Sequence, residues 1–105
     1  MAKVIVSWLA QFDEVHIARD LAKKAGVRVA AKYTSRFDAL YTRLSNFPEI
    51  GAPSPALGER IRSRVVSPFT VPYQYDAATD TVTILRIVHG RRKLTAAMLY
   101  SDIES

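Results

Sequence analysis

Thr81–Leu94, TVTILRIVHGRRKL, packs β-branched and aliphatic residues around a single arginine, Arg86, then ends in His89-Gly90 and three consecutive cations. Bounded by the turn-forming DAATD (Asp76–Asp80) and by Gly90, it reads as the last and most apolar strand, Thr81 to His89. Just upstream, Phe69, Val71, Tyr73 and Tyr75 alternate with Thr70, Pro72 and Gln74, the period-two pattern of a strand with an aromatic face. Pro72 has no N–H for a ladder, so an edge, a bulge or a local break is expected there. Across the Ser67-Pro68 turn, Ile61, Ser63 and Val65 alternate with Arg62, Arg64 and Val66, which puts Arg62 and Arg64 on one strand face.

The first half reads as helical. Lys3 to Ser7 is a short strand, and Ser7 is positioned to cap a helix that runs to about Ala25 and stops at Gly26. Phe12, Val15, Leu21, Ala22 and Ala25 are expected on its buried stripe, with Asp13, Glu14, Arg19 and Asp20 outward and His16 at the boundary in a structural or solvated role. A second helix carries the seam Ala30, Tyr33, Phe37, Leu40 and Leu44, continued by Phe47, with Lys32, Arg36 and Arg43 away from it. Three prolines and two glycines in FPEIGAPSPALGE (Phe47–Glu59) exclude a long regular element there. The expectation is one α+β domain over residues 1–105, of order β-α-α-β-β-β. An N-terminal helical hairpin packs on a small, mostly antiparallel sheet, and the tail from about residue 96 is flexible.

Lysine and arginine number 15 against 10 acids, a formal charge of +5, which favours anionic partners. Arg60, Arg62, Arg64, Arg86, Arg91, Arg92 and Lys93 all fall in the second half, so a basic sheet surface is the expected working face. With no cysteine and two histidines, the composition argues against disulfides and thiolate metal sites, and neither a metal nor another cofactor is expected. The opening MAKVIVSWLA is too short and too interrupted for a signal peptide or membrane span, and a cytoplasmic protein is expected.

VIVSWLAQFDEV, the Gly26 turn, FPEIGAP, IRSRVVSPFTVPYQY and above all VTILRIVHGRR together resemble the RelE/ParE superfamily of type II toxin–antitoxin toxins, in its ParE branch. The resemblance implies a hairpin-on-sheet fold. It also implies a cognate antitoxin, ParD-like and of ribbon-helix-helix type, that wraps the toxin in a hetero-oligomer, with DNA gyrase as the target and plasmid stabilisation as the setting. Pro72 and Gln74 depart from the usual large apolar residue and arginine, and the tail TAAMLYSDIES runs past the point where many relatives stop. The alternative within the superfamily is a RelE-like, ribosome-dependent mRNA endonuclease. Outside it stands a small nucleic-acid-binding domain, disfavoured because exposed aromatics are not interleaved with the strand arginines.

RNA cleavage by the 2′-hydroxyl needs a base, an acid and fixed cations. His89 is the one residue of the basic half that titrates near neutrality. In an unbroken strand Arg86 projects with Val82 and Ile84, and His89 with Leu85 and Ile87, on opposite faces. His89 therefore reads as a strand-end imidazole shaping the turn at Gly90. Arg86 pairs with a carboxylate or strand-end carbonyls, or touches a partner. No catalytic residue is assigned, and Arg62, Arg64, Arg86, His89, Arg91 and Arg92 are the expected contacts for antitoxin or target.

Overall fold

The computed structural model describes residues 1–101. Its elements are β1 (Lys3–Val6), α1 (Trp8–Ala25), α2 (Val27–Asn46), β2 (Ala52–Pro53), β3 (Ile61–Val66), β4 (Phe69–Asp76), β5 (Thr81–Ile84), β6 (Val88–His89) and a 3-10 turn at Ala96–Leu99. The strands form one sheet in the order β1-β5-β4-β3-β2, with β6 also paired to β4. β1 runs parallel to β5, and every other pairing is antiparallel. This is the expected α+β order with one short strand, β2, added and the expected last strand divided into β5 and β6.

Ser7 caps α1, its Oγ accepting from the Ala10 N–H at 3.1 Å and donating to the Leu85 carbonyl at 3.0 Å, so one hydroxyl ties helix start to sheet. Gly26 alone separates the helices, at φ 96°, a conformation that costs a residue with a Cβ. The helices fold back on one another, and the Tyr41 hydroxyl of α2 donates to Glu14 of α1. Phe37, Leu40 and Leu44 of α2 and Ala10 of α1 then pack on Phe69, Val71, Tyr73, Val82, Ile84 and Ile87. A side chain of this size stabilises by roughly 1.5–3 kcal/mol when fully buried. On the other side of the sheet a smaller cluster joins Ile61, Leu85 and Leu99.

α1 is rotated from its expected orientation. It buries Ala10 and Asp13, with Ile17 packed beside the core, whereas Phe12 and Val15 are 40% and 50% exposed. Ala10, Asp13 and Ile17 have the 3–4 spacing of one helix face, but a carboxylate in the middle hides that face from a hydrophobicity reading. Phe47, expected to continue the α2 seam, is 58% exposed.

The last strand is broken, and Pro72 supplies the reason. β4 runs continuously through Pro72, but its ladder to the last strand stops at Tyr73–Ile84 and resumes at Thr70–Val88. Between these pairs lie Val71 and Pro72 on one side and Leu85, Arg86 and Ile87 on the other. The Pro72 carbonyl still accepts from the Leu85 N–H at 3.0 Å, but no N–H can answer it. The extra residue acts as a bulge and reverses the facing of Val88 and His89. His89 consequently lies opposite Phe69, on the helix-bearing side. Of the tail, Ala96–Leu99 form the 3-10 turn, with Met98 and Leu99 buried; residues 102–105 lie outside the described residues.

Candidate functional site

Arg86 occupies the break and is 2% exposed. Its Nε and Nη2 donate to the two carboxylate oxygens of Asp13 at 2.8 and 2.9 Å, a bidentate ion pair between sheet and helix. Asp13 also accepts from the Ile87 N–H at 2.9 Å, and Arg86 Nη1 donates to the Met98 and Ser101 carbonyls at 2.8 and 2.9 Å. One guanidinium thus fastens α1, the strand break and the C-terminal turn together. The expected partner contact at Arg86 is therefore corrected: the group is withdrawn from the surface and committed within the fold. Sequence reasoning missed Asp13, which it placed outward; the clue was that an arginine in so apolar a run requires an acid from elsewhere.

Arg62 and Arg64 do share a face, because they stand opposite Tyr73 and Val71 on the helix-bearing side. Their surroundings differ. Arg62 Nη1 donates to the Glu49 and Gly51 carbonyls at 3.0 and 2.8 Å, and its Nη2 is 3.6 Å from the Glu49 carboxylate. Beside it the buried Tyr73 hydroxyl accepts from the Gly51 N–H at 2.9 Å and donates to the Pro48 carbonyl at 2.8 Å. Burial pushes the Tyr73 phenol pKa up, partly offset by the Gly51 N–H and the two arginine charges. A Cβ at Gly51 would fall 2.6 Å from the Tyr73 ring, so only glycine fits where the post-helix segment crosses β4. Arg62 thus holds that segment in place. Arg64 is half-buried, and among the described residues it makes no hydrogen bond or ion pair.

His89 stands at the other end of the same face. Its ring meets Phe69 edge-on at 5.8 Å, and its Nδ1 accepts from the Arg91 N–H at 3.1 Å. Gly90 N–H donates to the Pro68 carbonyl and Arg92 N–H to the His89 carbonyl, so the imidazole is part of a tight turn that carries the exposed Arg91, Arg92 and Lys93. A cavity of about 240 Å³ opens beside it, walled by Ile17, Leu21, Tyr33 and Phe69. His16 is exposed on α1, with its ring 4.2 Å from that of Phe12. The described residues contain no cluster of three or more histidine, aspartate or glutamate side chains fit to hold a metal ion, and no helix among them is long and apolar enough to cross a membrane.

The site therefore offers cations and one imidazole on the helix-bearing face, while the arginine best placed to neutralise a phosphate from the last strand is locked to Asp13. The family model described as ParE toxin of type II toxin-antitoxin system, parDE, matches residues 4–94. Toxin ParE3 of Caulobacter vibrioides is 33% identical over 98 residues, 93% of this chain and 96% of that protein. The chain belongs to the ParE toxin family. Among solved structures, the chromosomal ParDE toxin–antitoxin system from P. aeruginosa superposes with a TM-score of 0.71 at 21% identity, covering 85% of this chain and 96% of that one. The toxin–antitoxin complex RelBE2 from Mycobacterium tuberculosis gives 0.59 at 22% identity, covering 84% and 96%. The fold is thus shared by the ParE and RelE branches, and the family match ends at Leu94, before the turn whose carbonyl Arg86 clamps.

Proposed function

We propose that this ParE-family toxin acts in the cytoplasm on DNA gyrase and is neutralised by a ParD-like antitoxin of ribbon-helix-helix type in a hetero-oligomer. The observation that carries the choice of binding over cutting is the burial of Arg86 against Asp13, which takes the last strand's guanidinium away from any bound phosphate. His89, whose Nδ1 already accepts a backbone N–H, then faces solvent without that cation. Arg64, His89, Arg91 and Arg92 form the partner-binding rim in this reading, with Arg62 contributing from its loop-holding position. A tail rich in carboxylates is the complementary ligand.

The test uses His89→Gln, which keeps size and some hydrogen bonding but cannot shuttle protons near neutrality. The folded variant is expected to remain toxic and to trap gyrase–DNA cleavage complexes as the parent does. A ribosome-dependent nuclease relying on His89 would lose about 10²- to 10⁴-fold in cleavage. Loss of toxicity in folded His89→Gln, with codon-positioned cuts in ribosome-bound message by the parent, would replace the gyrase reading with the nuclease one.

A further inference from the structure

The sheet face turned away from the helices holds a groove of about 550 Å³ beside β1, β5 and β4. Thr81, Thr83 and Gln74 form its floor, and Trp8 and Tyr100, 74% and 67% exposed, stand on its walls. In a chain of net charge +5, the one charged side chain in this lining among the described residues is a carboxylate, Asp76. Asp76 Oδ1 accepts from the Ala78 N–H at 3.0 Å, and among the described residues it has no ion-pair partner. Lys3 lies in the same cross-strand row but two strands away, roughly 10 Å at ordinary strand spacing.

We propose that this groove is a second docking surface, which takes an extended peptide segment of a partner protein with an apolar side chain between the aromatic walls and a lysine or arginine beside Asp76. Two large exposed aromatics flanking hydroxyl and amide groups supply contact area at low entropic cost and hydrogen bonds for a peptide backbone. A volume of about 550 Å³ is in the range of a binding cleft. Among the described residues the lining holds no cation, which argues against a phosphate-rich ligand, since such a ligand needs positive charge at its backbone. This surface is chemically opposite to the arginine rim on the other face, and it does not depend on gyrase being the target. Tyr100 lies beyond the residues that the family model matches.

Trp8 is the chain's single tryptophan, and its fluorescence reports on the groove directly. The full-length chain is titrated with a synthetic peptide of alternating leucine and lysine, with its leucine–glutamate counterpart, and with a short oligothymidylate. The lysine peptide is expected to shift Trp8 emission saturably; Asp76→Asn weakens its binding about three- to fivefold, as for an exposed ion pair, and Thr83→Arg abolishes it. Tyr100→Ala, outside the sheet, is expected to weaken it as well and covers the case in which Thr83→Arg does not fold. The proposal is overturned if the glutamate peptide or the oligonucleotide shifts Trp8 as strongly, if the lysine peptide does not, or if a folded Thr83→Arg or Tyr100→Ala chain responds like the parent.

Discussion

Arg64 and Arg86 flank the same stretch of β4, one on each side of Val71–Pro72, and have opposite fates. On the β3 side the ladder is continuous, so Arg64 keeps its place opposite Val71 and its guanidinium remains uncommitted among the described residues. On the other side Pro72 interrupts the ladder, the chain bulges, and Arg86 is turned into the protein, where Asp13 meets it. Residue type and sequence neighbourhood do not decide whether an arginine is structural or available. The state of the neighbouring backbone does.

The sharpest way to break this comparison is to remove one member of the buried pair. Asp13→Ala or Arg86→Met leaves a charge without its partner in the interior, and each is expected to destabilise by about 3–5 kcal/mol in chemical denaturation. The double variant Asp13→Leu with Arg86→Met buries no charge and is expected to be more stable than either single variant. Single variants as mild as a change at Arg64 would show that burial of Arg86 has no energetic meaning.

The crossing of the post-helix segment over β4 gives the next largest effect. Tyr73→Phe strands the Gly51 N–H and the Pro48 carbonyl, and is expected to cost about 1–3 kcal/mol. Gly51→Ala drives a methyl into the Tyr73 ring and is expected to cost a similar amount, about 1–3 kcal/mol, as overpacking. Unfolding midpoints measured with unchanged m-values check both.

Much of the layout was legible from period and punctuation alone. The α2 seam Ala30, Phe37, Leu40 and Leu44 is buried as its spacing requires, Ser7 caps α1, Gly26 divides the helices, and Ser67-Pro68 turns between β3 and β4. The inner face of α1 was not legible, since its central residue is an aspartate whose burial makes sense only once Arg86 is placed against it. Pro72 did announce a break, but the consequence fell on the neighbouring strand rather than its own. That displacement also moved His89 to the other face, which no counting along an unbroken strand can foresee. Of the candidate site, the shared face of Arg62 and Arg64 followed from alternation. Their division of labour followed from the Glu49–Gly51 segment folding back onto Arg62 alone.

A smaller effect should appear at high pH. Burial, and then the hydrogen bond to Glu14 and nearby carboxylate charges, push the Tyr41 phenol pKa well up from its ordinary value near 10. The folded state therefore holds this proton more tightly than the unfolded state. Its contribution is complete below about pH 10 and declines as pH rises toward the folded value, by up to about 1.4 kcal/mol per pH unit. Between pH 9 and 11 the parent should lose more stability than Tyr41→Phe, and parallel losses would remove Tyr41 from the account.

Arg64→Glu should affect stability least and binding most. With no described hydrogen bond or ion pair to lose, it is expected to stay within about 0.5 kcal/mol of the parent, or about 3 °C in melting temperature. The most direct measurement is therefore paired: the melting temperature of Arg64→Glu and its affinity for the cognate antitoxin, both taken beside the parent. The expected result is an unchanged melt with at least tenfold weaker binding, because the proposed function sets Arg64 against a carboxylate-rich antitoxin tail and the substitution reverses its charge. Unchanged affinity, or a chain that no longer folds, would contradict the division between a buried structural arginine and one proposed to meet the partner.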